Sequence, residues 1–188
     1  MRLASVTAAA MLAACAATPP DAPAPASSAA VAIPLRNAGF ESAPRAGDRC
    51  PEGWSCTMHA DPDSFRFGLD GSAAAEGARS LCIERVTHEP WAVASQSVPA
   101  EALRGRRLRF SIAVKGERIT GPGAGPWVLV NGSAGMLLHE ERLASRGSTW
   151  ERQAIEFTVP AQAIGLELGA TLQGPGRVCI DDARLEPT

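Results

Sequence analysis

From Leu35 onward, apolar and polar residues alternate in short runs broken by glycine and proline. The clearest run is Arg107–Lys115, where Leu108, Phe110, Ile112 and Val114 share one phase and Arg107, Arg109, Ser111 and Lys115 share the other. A period of two over that length describes a strand with one buried face. Ala154–Val159 repeats it with Ile155, Phe157 and Val159 inward, and Leu166, Leu168, Ala170 and Leu172 do so again. Weaker runs lie at Trp54–Met58, Phe65–Leu69, Ser80–Glu84, Trp91–Val98, Trp127–Val130, Met136–His139 and Arg177–Leu185. Loops such as GPGAGP (121–126) and GPG (174–176) separate them, and only VPAEALRG (98–105) suggests a helical turn. About ten short strands at this spacing predict an all-β fold, a two-sheet antiparallel sandwich.

The first residues, MRLASVTAAAMLAAC, carry one positive charge at Arg2 and then an apolar run up to Cys15. A membrane-spanning helix needs roughly 20 apolar residues, so this run has the proportions of a signal peptide instead. Leu12-Ala13-Ala14-Cys15 resembles the bacterial lipobox. That resemblance implies cleavage before Cys15 and acylation of it, with about 0.8 kcal/mol of anchoring from each buried CH₂. Ala16 stands where an Asp retains related lipoproteins in the inner membrane, so the resemblance favours the outer membrane, with contact to lipid through the anchor alone. The stretch that follows, ATPPDAPAPASSAAVA, buries too little apolar area to offset the entropy of ordering it. The expected division is therefore a signal peptide at 1–14, a disordered tether at 15–34 and one folded domain at 35–188.

Composition narrows the function classes. The 188 residues are 45% hydrophobic, enough for a core, and the net charge of -2 argues against a nucleic-acid binder. Besides Cys15 there are four cysteines, Cys50, Cys56, Cys82 and Cys179, and an even set in an exported chain reads as two disulfides. Cys50 and Cys56 flank PEGWS and are placed to staple a loop. Cys82 and Cys179 share the phase opposite to their aliphatic neighbours, so they meet if their strands are adjacent. Three connectivities remain open at this level. No CxxC pair exists, which disfavours zinc.

The order NAGFES, PEGW, GARSLCIE, SQSVPAEALRGRRLRFSIAVKG, TWERQAIEFTVP and GPGRVCIDDARLE resembles the jelly-roll domains of galactose-binding-like type. These include carbohydrate-binding modules found beside bacterial glycoside hydrolases. The resemblance covers nearly everything from Asn37 to Glu186, and it speaks to fold more than to ligand. It implies a structural calcium between Glu41 and Asp181 or Asp182, an ion that requires six to eight oxygen ligands. Asn37 is placed either to join that set or to cap the turn entering the first strand.

Catalytic signatures are missing. NGSAG at Asn131–Gly135 lacks the first glycine of a nucleophile elbow, and the chain has no HExxH, Walker loop or dinucleotide fingerprint. Glu84, Glu156 and Glu167 are the carboxylates from which a glycosidase pair would be drawn, but each reads as a solvated position on a polar strand face. The aromatics are four Trp, five Phe and no Tyr. Trp54 and Trp150 occupy positions that look structural in the resembling domains. Trp91 and Trp127 follow prolines at strand starts and are the free candidates for stacking on a sugar. Arg107, Arg109 and Lys115, on the polar phase of the longest strand, are the candidate partners for hydroxyls or carboxylates. The expected function is non-catalytic binding of a glycan or other extracytoplasmic ligand; a structural or protein-interaction module of the envelope is the alternative.

Overall fold

The computed structural model describes residues 31–188, in which ten strands form two sheets. The expectations for the signal peptide, for Cys15 and for most of the tether lie outside the described residues. The folded part begins earlier than Leu35: Ile33 N–H donates to the Leu185 carbonyl at 2.8 Å and its side chain packs against the core.

In chain order the strands are β1 (Ser55–Met58), β2 (Phe65–Asp70), β3 (Ser80–Arg85), β4 (Trp91–Pro99), β5 (Arg107–Glu117), β6 (Gly123–Gly132), β7 (Gly135–Glu141), β8 (Glu151–Thr158), β9 (Gly165–Gln173) and β10 (Arg177–Pro187). One 3₁₀ turn, Glu101–Leu103, connects β4 to β5. The first sheet runs β2-β3-β10-β5-β8 and the second β1-β4-β9-β6-β7, and every pairing is antiparallel.

Each run found by periodicity is a strand, and in the three clearest runs the apolar phase faces the other sheet. Leu108, Phe110, Ile112 and Val114 are wholly buried, as are Leu166, Leu168, Ala170 and Leu172, and all belong to one core cluster. Removing that apolar area from water is what holds the two layers together. Two local expectations change. The GPGAGP loop is shorter than expected, because β6 already begins at Gly123. Glycine is required there: a side chain on Gly123 would put its Cβ 2.7 Å from the Leu143 carbonyl oxygen, where the 142–145 segment crosses the strand. Trp54 is in the core, with its ring 4.7 Å from that of Phe40 and its Nε1 donating to the Asn37 carbonyl. Trp150, expected to be equally structural, is half-buried and outside the core cluster.

Both expected disulfides form, the first from its place around PEGWS and the second from strand phase. Cys50 and Cys56 close the 50–56 loop, and Cys82 faces Cys179 directly across the β3–β10 ladder with Cα atoms 4.0 Å apart.

Candidate functional site

Strand order decides which polar-phase residues share a surface. On β4, Ala92 and Ala94 enter the core, so Trp91, Val93, Ser95 and Ser97 point to the outer face of the second sheet. On β6, Val128 and Val130 enter the core and Trp127 and Leu129 point outward. Strand β9 lies between them, with Trp91 opposite Gln173 and Trp127 opposite Gly169. The two tryptophans therefore stand diagonally across β9, two strand spacings apart and four residues offset, with backbones roughly 16 Å apart.

Between them is a groove of about 270 Å³, floored by Val93, Leu129 and Thr171 and rimmed by Met136, His139, Glu141 and Gln173. Both rings are half-exposed, each presenting part of its surface to the groove. Its polar groups are few and held in place. Gln173 Nε2 donates to Glu141 Oε2 at 2.8 Å, and His139 Nε2 lies 3.9 Å from the same oxygen. His139 meets the Trp127 ring edge-on with centroids 5.9 Å apart, and His59 stands against Trp91 in the same way. His59 Nδ1 in turn shares a hydrogen bond of 2.7 Å with Glu89 Oε2. Each indole thus has an imidazole packed on its edge and a carboxylate behind that imidazole. Such packing limits ring rotation, which suits a stacking platform.

Gly169 has a geometric role in this face. A Cβ there would lie within contact distance of the Ala94 carbonyl and 2.7 Å from Ser95 Cα, so only glycine lets β4 and β9 pair beside Trp127.

Arg107, Arg109 and Lys115 do not join this site. They lie on β5, in the first sheet, on the far side of the core from the tryptophans. Arg107 is engaged with Glu156 at 3.0 Å on neighbouring β8, and Lys115 lies 4.0 Å from Glu117. Periodicity places a side chain on one face of its own strand, but which sheet the strand joins depends on long-range pairing. The candidate glycosidase carboxylates are dispersed for the same reason. Glu167 is in the second sheet, whereas Glu84 and Glu156 sit three strands apart in the first, with backbones about 14 Å apart, and Glu156 is paired with Arg107. Catalytic pairs require about 5–9.5 Å.

Glu41, Asp181 and Asp182 surround the loop before β3 in a different manner from a cation cage. Glu41 Oε1 accepts the Ala78 and Arg79 N–H groups, at 2.8 and 3.2 Å. Asp181 Oδ2 accepts those of Ala75 and Glu76 at 2.7 and 3.0 Å, and its Oδ1 accepts the Asp182 N–H. Asp182, in a β-bulge with φ of 47°, is paired with Arg152 and Arg184. The loop presents amide donors to these carboxylates where calcium would need carbonyl oxygens, and two guanidiniums stand against Asp182. As arranged, this donor set does not fit the ion. Burial raises the Asp181 carboxyl above its usual range, while the three amide donors pull it back down. Asn37 ties off the entering turn: its Oδ1 accepts the Ser42 N–H and its Nδ2 donates to the Ser42 and Glu52 carbonyls.

The groups that pure sequence reading did not select are Glu141, Gln173 and Thr171. Gln173 and Thr171 occupy the polar phase of the run at 166–172, so their face was legible. Their proximity to both tryptophans was not, because β9 comes between β4 and β6 only in the folded sheet.

Comparison with known proteins bears on the fold. The CBM22-1 xylan-binding domain of Paenibacillus barcinonensis Xyn10C superposes with a TM-score of 0.59, at 15% identity, over 79% of this chain and 90% of that domain. The C-terminal family 22 carbohydrate-binding module of Clostridium thermocellum Xyn10B gives 0.53 at 18% identity, over 79% and 89%. TmCBM61, solved with β-1,4-galactotriose, gives 0.54 at 17% identity, over 82% and 97%. The fold is the jelly-roll sandwich of carbohydrate-binding modules. In sequence, the chain is similar to YbfP of Bacillus subtilis (strain 168), an uncharacterised HTH-type transcriptional regulator, at 27% identity over 142 residues, 72% of this chain and 48% of YbfP. The chain spans about half the length of that relative. No family model matches it.

Proposed function

We propose that this domain binds a glycan along the groove between Trp91 and Trp127, without a covalent step. The observation that carries the reading is the pair of half-exposed indoles on one sheet face, bracketing an apolar floor with a carboxylate, an amide and an imidazole at its rim. Sugar rings offer an apolar face for stacking and hydroxyls at their edges, and this groove supplies the complement of each. The shared fold supports the reading, since the structures it resembles include modules named for xylan and solved with a galactotriose. DNA recognition is not favoured by the similarity to a regulator: among the described residues the helical content is one three-residue turn, and no recognition helix is formed.

The test is a glycan-array screen of the full chain followed by calorimetry on the best oligosaccharide. Binding that Trp91→Ala and Trp127→Ala each abolish, with unchanged melting, supports the assignment. Binding indifferent to both replaces it with the second reading, a protein-interaction module. The observation favouring that alternative is the exposed group of Met136, Leu137 and Ile164 around the β6–β7 hairpin.

The lipobox-like 12–15 segment supports an exported lipoprotein displayed from the outer membrane, the glycan face being held off the bilayer by the Ala/Pro/Ser-rich spacer that ends before Ile33. Mass spectrometry of the exported product that finds Cys15 unmodified removes the anchor from this picture.

A further inference from the structure

The outer face of the second sheet does not end at the tryptophan groove. Trp127 is level with Gly169, and Gly169 is level with Ser95. Two residues further along β4, Ser97 lines another cleft, of about 570 Å³, together with Ser55 of β1 and the Arg36, Arg45 and Arg49 segments around the Cys50–Cys56 loop. From the backbone of Trp127 to that of Ser97 is roughly 12 Å, across two strand spacings and one pleat. Gly169 and Ser95, both buried, lie between them, and Glu167, opposite Ser97, accepts from the Ser95 hydroxyl at 3.5 Å.

The two ends of this face differ in charge. The tryptophan groove contains no lysine or arginine among its lining residues and has Glu141 at its rim. The second cleft is lined by three arginines against Asp48 and Glu52. Arg45 is paired with Glu52 at 2.6 Å, and Arg49 with the Pro62 carbonyl and, at 3.6 Å, with Asp63. Arg36 is exposed and has no acidic partner among the described residues. Its backbone is fixed nonetheless: the Gln96 side chain, buried in β4, accepts the Arg36 N–H at 3.0 Å and donates to its carbonyl at 3.1 Å. The disulfide holds the opposite wall.

We propose that this cleft is an anion subsite, taking a carboxylate-bearing sugar of the same glycan whose neutral residues stack on Trp127. The inference rests on the glycan reading above. Guanidinium forks match a carboxylate in a bidentate geometry, and a cation left without a partner at the mouth of a rigid cleft is set to receive one. The arrangement assigns the ligand class as an acidic heteroglycan in which uronate residues interrupt a neutral backbone.

The experiment compares two soluble probes on the full chain by calorimetry: a neutral β-1,4-linked xylo-oligosaccharide and the same oligosaccharide carrying a uronic-acid branch. The uronate is expected to tighten binding about tenfold at low salt and to lose that gain by 0.5 M NaCl. Arg36→Gln, and Arg36→Gln with Arg45→Gln, are expected to erase the gain while leaving neutral-probe binding and melting unchanged, since both side chains are exposed. Equal affinity for the two probes, or a gain that survives both variants, overturns the anion subsite while the tryptophan groove stands. Failure of both probes together with a blank array removes the glycan reading itself.

Discussion

Trp127 faces Gly169 across the β6–β9 ladder, so one of the two tryptophans on the outer face of the second sheet stands beside the residue with no side chain. The contrast lets β4 and β9 approach closely beside the stacking wall. Because a Cβ at Gly169 would collide with backbone atoms of Ala94 and Ser95, the strands must part to admit even alanine. Gly169→Ala is expected to destabilise the domain by about 2–4 kcal/mol, since overpacking against backbone leaves nothing flexible to yield. Urea unfolding measures it; a change within about 0.5 kcal/mol would mean that the β4–β9 ladder is looser than described.

Substitutions on the two sheets should separate cleanly. Trp91→Ala and Trp127→Ala are each expected to weaken oligosaccharide binding at least about tenfold, or 1.4 kcal/mol. Arg107→Ala, Arg109→Ala and Lys115→Ala should leave it unchanged, because the core lies between them and the groove. Calorimetry on the five variants reads this directly, and loss of binding in the arginine variants would move the site to the first sheet.

The two disulfides should differ in worth. Cys82–Cys179 joins residues 97 apart, whereas Cys50–Cys56 joins residues 6 apart. Chain-entropy reasoning assigns about 4–5 kcal/mol to the longer closure and about 2 kcal/mol to the shorter. Replacing Cys82 and Cys179 together by alanine is expected to lower the urea midpoint more than replacing Cys50 and Cys56. The reverse order would show that the short loop contributes through packing of Trp54 rather than through closure.

Asp70 predicts a response to acid. Hydrogen bonds from Ser72, then the Arg177 guanidinium, hold its carboxyl down at about 2 against an ordinary 3.8. A carboxyl lowered on folding adds stability that is present above the unfolded value and is lost as pH falls toward the folded one. The stability difference between the wild type and Asp70→Asn is therefore expected to be constant above about pH 5 and to shrink between about pH 4 and 2. A difference that stays flat through that window would break the assignment. Asp181 acts in the opposite sense: its raised value favours the fold below the ordinary carboxyl range, and that contribution is lost as pH rises through the folded value.

Chelation tests the loop before β3. With amide donors on Glu41 and Asp181, melting is expected to be the same in EDTA and in millimolar calcium. A rise with calcium would mean that residues 75–79 turn their carbonyls inward and make the cage that the present arrangement lacks. Asp181→Ala, which leaves the N–H groups of Ala75, Glu76 and Asp182 without their acceptor, should cost about 2–3 kcal/mol in either buffer.

Alternation of apolar and polar side chains was sufficient to locate every strand and, in the three clearest runs, to say which half faces the core, because a strand's side chains alternate whatever it pairs with. Leu108, Phe110, Ile112 and Val114 could be assigned inward from their neighbours alone. Equally local signals marked the binding candidates, strand phase for Arg107, Arg109 and Lys115 and a place after proline at a strand start for Trp91 and Trp127, yet they carry no information about which strands become neighbours. Pairing β9 between β4 and β6, and β5 between β10 and β8, brought the tryptophans to one face and sent the arginines to the other. The groove, its Glu141–Gln173 rim and the spacing from Trp127 to Ser97 arise from contacts between residues far apart in the chain, and such contacts come into being only when the two sheets close over their shared core.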